Sequence, residues 1–73
     1  MLIGVPRESY PGENRVSLIP ADVKKLTRLG AEIWVETGAG ANAGFSDEEY
    51  AQSEARISTN REELLSGSDI ILR

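Results

Sequence analysis

Pro20-Ala21-Asp22-Val23-Lys24-Lys25-Leu26-Thr27-Arg28-Leu29-Gly30-Ala31-Glu32-Ile33-Trp34-Val35-Glu36 reads as a helix running directly into a strand. Proline suits the first helical position, where its missing N–H has no helical partner and its φ is already set. Val23, Leu26, Thr27 and Leu29 recur near helical spacing while Lys24, Lys25 and Arg28 face away, which predicts one buried stripe. Gly30 predicts the helix end. From Ala31 to Glu36 the period shortens to two, with Ile33 and Val35 on one face and Trp34 on the other, and this predicts a strand.

Before this unit, Leu2-Ile3-Gly4-Val5 is an apolar run closed by Pro6, the pattern of a strand buried on both faces. Between Arg7 and Ile19, Tyr10-Pro11-Gly12 signals a turn and Glu13-Asn14-Arg15 groups polar residues, so a structured loop is expected. After it, Thr37 to Phe45 is a glycine-rich loop. Ser46 with Glu49 has capping-box spacing, and Asp47 and Glu48 favour the positive end of a helix reaching about Ser53. Ala55-Arg56-Ile57 predicts a short strand. Asn60 caps a helix through Leu64 and Leu65 that ends at Gly67, and Asp69 to Arg73 predicts a last strand.

The order βαβαβαβ defines an α/β class: a mostly parallel sheet of Rossmann-like, flavodoxin-like type with helices on its faces. Parallel strands need cover on both sides, and three short helices cover four strands only in part. Residues 1–73 are therefore expected to be an incomplete domain, continued by more of the same polypeptide and inactive alone.

Composition narrows the function. A chain of 73 residues buries a modest core, and with no cysteine and no histidine it draws no support from disulfides and little from metals. Eight basic against twelve acidic residues give a net charge of -4, the wrong sign for attracting a nucleic-acid backbone. The N-terminus lacks the basic flank and long apolar core of a signal peptide, and no segment approaches the roughly 20 apolar residues of a bilayer span. A cytoplasmic location is expected.

Two constellations invite chemistry. Gly38-Ala39-Gly40-Ala41-Asn42-Ala43-Gly44 follows a strand and reads G-x-G-x-x-x-G, yet the helix signal begins only at Ser46. A dinucleotide fingerprint needs its helix to start inside the motif and an acidic residue roughly 20 positions on, where Arg56 to Thr59 stand instead. A plain connection is the preferred reading. The second constellation, Pro6-Arg7-Glu8 with Glu13-Asn14-Arg15, follows a parallel strand at the end where such folds hold ligands. A guanidinium there can grip a carboxylate or phosphate; equally, Glu8 and Glu13 can satisfy Arg7 and Arg15 in a bracing network. Arg15, beside apolar Val16, is the better ligand candidate. The hydroxyls of Ser9, Ser17, Tyr10 and Tyr50 have no histidine to activate them, and Asp47-Glu48-Glu49 reads as capping, so neither a catalytic nor a metal set is expected. Trp34 reads as a sheet residue under a helix, without a cationic surround.

Ile3-Gly4-Val5-Pro6-Arg7-Glu8, Glu13-Asn14-Arg15-Val16-Ser17-Leu18-Ile19-Pro20, Val35-Glu36-Thr37-Gly38-Ala39-Gly40, Ala43-Gly44-Phe45-Ser46-Asp47 and Ser68-Asp69-Ile70-Ile71-Leu72 together resemble the N-terminal domain shared by alanine dehydrogenases and transhydrogenase alpha subunits. The resemblance covers the whole chain in order. Glu8-Ser9-Tyr10-Pro11-Gly12-Glu13 is more similar to the transhydrogenase branch, which implies hydride exchange between NAD(H) and NADP(H) coupled to proton movement through a membrane partner. The resemblance also implies that both nucleotides bind segments beyond these residues, with the dinucleotide fingerprint in a second domain, and that the parent forms a homo-oligomer. In the alanine dehydrogenase branch it implies that Arg15 holds the carboxylate of pyruvate or alanine, with NAD as cofactor. A non-catalytic binding module, associating through an open sheet edge, is the expectation of another class.

Overall fold

The computed structural model describes residues 1–7 and 18–72. Four strands, β1 (Leu2–Val5), β2 (Glu32–Glu36), β3 (Arg56–Ser58) and β4 (Ile70–Ile71), form one sheet in the order β3-β2-β1-β4. Every pairing is parallel: Ile3 lies beside Ile33 and Ile70, and Val35 beside Ile57. The helices are α1 (Pro20–Arg28), α2 (Asp47–Gln52) and α3 (Arg61–Gly67), with a short 3-10 turn over Ala41–Ala43. This is the expected α/β, Rossmann-like arrangement. The strand order reverses direction at β1, which makes its C-terminal end a topological switch point.

Alternation along the strands divides the core. Ile3, Val5, Ile33 and Val35 point to one face and pack with Val23 of α1, Tyr50 of α2, Leu18 and Ala55. Leu2, Gly4 and Trp34 belong to the other face, which α3 covers through the fully buried Leu64. That cover is close: a Cβ on Gly4 would run into Ser68 Oγ and stand 3.0 Å from Leu64 Cδ2.

Local chemistry explains where the helices stop and start. Gly30 adopts φ +96 and its N–H donates to Thr27 O while Ala31 N donates to Leu26 O, the paired bonds of a Schellman motif. The end of α2 repeats them, with Glu54 N to Ala51 O and Ala55 N to Tyr50 O, but places Glu54 at φ +76 where glycine is the comfortable residue. Ser46 forms both halves of the expected capping box with Glu49, and Asn60 Oδ1 accepts from Glu63 N at 3.1 Å.

Three details differ from the sequence reading. Leu29 is 83% exposed, because α1 closes at Arg28 and its cap turns that side chain off the buried stripe. The last strand is limited to Ile70–Ile71, whose partners on β1 are Ile3 and Gly4. Trp34 is not without a cation: parallel pairing sets Arg56 beside it, and the guanidinium carbon lies 4.7 Å from the ring centroid.

Candidate functional site at the carboxyl rim of the sheet

The carboxyl ends of β1 and β2 and the N-terminus of α3 bring together Arg7, Glu36 and Arg61. Glu36 ends β2, and its Oε1 accepts the Arg7 N–H at 2.6 Å. The same oxygen pairs with Arg61 Nη1 at 3.5 Å, and that nitrogen also donates to the Arg7 carbonyl at 3.3 Å. Both peptide groups of Arg7 are thus held where the chain leaves β1, one from the neighbouring strand and one from α3. The Glu36 side chain is only 14% exposed, which strengthens its pull relative to an open surface pair. Arg7 is itself exposed, and its side chain crosses Gly38, with Cδ 3.5 Å and Nη1 3.7 Å from where a Cβ would be. Gly38 has φ +79, so it is the turn that calls for glycine, a Cβ meeting Arg7 only at ordinary contact distance.

The glycine-rich loop is closed on itself. Asp47 accepts from Thr37 Oγ1 at 2.5 Å and from Gly38 N at 2.9 Å, a role beyond the expected helix capping. The amides of Ala39, Ala41, Ala43, Gly44 and Phe45 each donate to carbonyls between Glu36 and Ala41. Gly40 is closed by Tyr50, whose ring would meet a Cβ at 2.6 Å. Six of the loop amides, those of Gly38, Ala39, Ala41, Ala43, Gly44 and Phe45, are thus engaged within the loop and by Asp47. As the sequence spacing implies, α2 starts after the loop, at Asp47.

Tyr50 locks this region to the entry of α1. Its phenol donates to Leu18 O at 2.8 Å, and Phe45 meets its ring edge-on at 6.4 Å. Burial, with a smaller contribution from Glu49, raises its pKa above the ordinary tyrosine value, so the donating neutral form is favoured. At the other sheet edge a cleft of about 100 Å³ is lined by Trp34, Arg56, Ser58, Thr59, Asn60 and Glu63.

The predicted ligand candidate, Arg15, lies outside the described residues, as do Glu8 and Glu13 of the expected bracing network. Arg7 lies within them and takes its backbone partners from Glu36 and Arg61, which the sequence reading missed. Charged residues ending one predicted strand and opening one predicted helix were the available signal. Among the described residues no group of three or more acidic side chains could hold a metal ion, and no helix is long and apolar enough to cross a membrane.

The parallel sheet, its switch point and the charged rim define a Rossmann-like α/β domain. Residues 4–73 match the family model described as alanine dehydrogenase/PNT, N-terminal domain, and the chain belongs to that family. It is 41% identical over 73 residues to the NAD(P) transhydrogenase subunit alpha of Cereibacter sphaeroides, covering all of this chain and 14% of that protein. It is 37% identical over 73 residues to the alanine dehydrogenase of Methanococcus maripaludis, covering all of this chain and 20% of the relative. A solved L-alanine dehydrogenase superimposes with a TM-score of 0.95 at 36% identity, over 100% of this chain and 20% of the other. The chain therefore spans a fifth or less of the length of these relatives.

Proposed function

We propose that these residues are the N-terminal part of the alpha subunit of a proton-translocating NAD(P) transhydrogenase. The similarity to such a subunit along all 73 residues carries the reading, and the segment Glu8-Ser9-Tyr10-Pro11-Gly12-Glu13 supports it. In this reading the whole protein passes hydride between NAD(H) and NADP(H). Both nucleotides bind segments other than these residues, which supply a rigid platform and are inactive alone. The closed glycine loop supports placing the dinucleotide elsewhere. The partners are the rest of the polypeptide with its second domain, further copies of the chain and a membrane-embedded subunit, with the soluble part in the cytoplasm.

A second reading, an NAD-dependent alanine dehydrogenase interconverting alanine and pyruvate, is favoured by the close superposition on L-alanine dehydrogenase. There Arg15 holds the substrate carboxylate. The two readings separate in one assay of the protein at its natural length. NADH oxidation supported by an NADP analogue and the partner component, with none from pyruvate and ammonia, supports the transhydrogenase. Turnover with pyruvate and ammonia overturns it and makes Arg15 the first residue to replace.

A further inference from the structure

We propose that the outer surface formed by α1 and α2 is a docking face for a second copy of this chain, closed by a two-fold axis running along the two helices. The inference deepens the reading above and rests on it only in expecting further copies in the assembly. α1 and α2 lie on the same side of the sheet, touch each other, and bury Val23 and Tyr50 in one core. Their opposite sides form one outer surface of divided charge. On α1, Lys24, Lys25 and Arg28 are exposed, and Asp22 is the one acid of the helix. Residues 46–54 carry four carboxylates, Asp47, Glu48, Glu49 and Glu54, and no cation. A cationic helix beside an anionic stretch is complementary to its own two-fold copy.

Topology fixes which ends meet. Every strand pairing is parallel, so α1, linking β1 to β2, and α2, linking β2 to β3, both run back toward the amino end of the sheet. A two-fold axis along them sets α1 of one copy on α2 of the other and keeps each helix end at its own height. Arg28, in the last turn of α1, then meets Glu54 of the other copy, just past the end of α2. Glu54 is locally costly: it stands at the negative end of α2 and at φ +76, where glycine is more comfortable. A cation from a second copy gives that carboxylate a use. Leu29, 83% exposed and four positions after Lys25, adds apolar surface on the same side.

In the protein at its natural length, association is measured by sedimentation velocity for the parent, Arg28→Glu, Glu54→Arg and an equimolar mixture of the two variants. Either variant alone sets like charges together at both contacts of the dimer and is expected to weaken association about tenfold. In the mixture each variant meets opposite charges at both contacts, so affinity should return to within about threefold of the parent. A folding defect in one variant would not be mended by mixing it with the other. A monomeric parent, single variants within about twofold of it, or a mixture no tighter than its components overturns the proposal. Rescue on mixing in a protein that transfers no hydride between nucleotides removes the functional reading and leaves the docking face. Hydride transfer without rescue does the reverse.

Discussion

The two ends of this sheet are finished in different ways. At the amino end the links are mainly peptide groups: Glu32 N donates to Met1 O, Asp69 N to Leu2 O, and one side chain, Asp69, accepts from Leu2 N at 2.8 Å. At the carboxyl end, the peptide links from Thr37 N to Ser58 O and from Leu72 N to Gly4 O are joined by charged side chains, with Glu36 and Arg61 holding Arg7 and Asp47 holding Thr37 and Gly38. Peptide links complete a ladder and leave little free to meet a ligand. Side-chain links at the carboxyl rim join segments distant in sequence, Arg7, Glu36 and Arg61, at one place.

Crowding gives the largest test of this contrast. Gly40 at the carboxyl end sits against Tyr50, so Gly40→Ala is expected to destabilise by about 3 kcal/mol, read as a lower urea midpoint at unchanged slope. An undiminished midpoint would mean that the loop relaxes and is not locked. Next, Glu36→Ala removes one acceptor serving two donors and should cost about 2 kcal/mol, whereas Asp69→Ala at the amino end should cost about 1. Equal losses would erase the difference between the ends.

Tyr50 supplies a pH test of the same lock. Burial, then Glu49, raises its native pKa, so the stabilisation is full below the unfolded value of about 10 and is lost as pH rises through the native pKa. Stability should fall in that alkaline range, and Tyr50→Phe should flatten the fall while lowering stability at neutral pH by about 1 kcal/mol for the lost bond to Leu18 O. A persisting alkaline fall in Tyr50→Phe would assign it to another group. The smallest effect is expected at Gly67, near the amino end, where a Cβ meets Trp34 and Leu2 at ordinary distances of 3.8 and 3.9 Å. Gly67→Ala should leave stability unchanged or raise it by about 0.5 kcal/mol through helix propensity. A marked loss would show that the amino end is as crowded as the carboxyl end.

The same contrast governs what could be read in advance. Every helix start was legible because the deciding groups lie within a few residues: Pro20 opening α1, the Ser46–Glu49 box, and Asn60 accepting from Glu63 N. The Gly30 stop was legible for the same reason. The corresponding stop at Glu54 carried no sequence signal, since a glutamate at positive φ is imposed by the chain on either side. Leu29 was misplaced by periodicity because the helix ends one residue before it. At the rim, the sequence marked the strand ends as the ligand side but not the contacts between them.

By itself, then, the sequence determined the element order, the caps, the α/β class and the family resemblance, because each rests on short-range hydrogen bonding, hydrophobic period or motif. Only the tertiary structure decided the strand order β3-β2-β1-β4, the stacking of Arg56 on Trp34, and the hold of Glu36 and Arg61 on Arg7. Arg7 meets partners 29 and 54 positions away. Nothing local in a chain specifies such contacts. They form only once hydrophobic burial has set the strands side by side and brought their ends to a common rim.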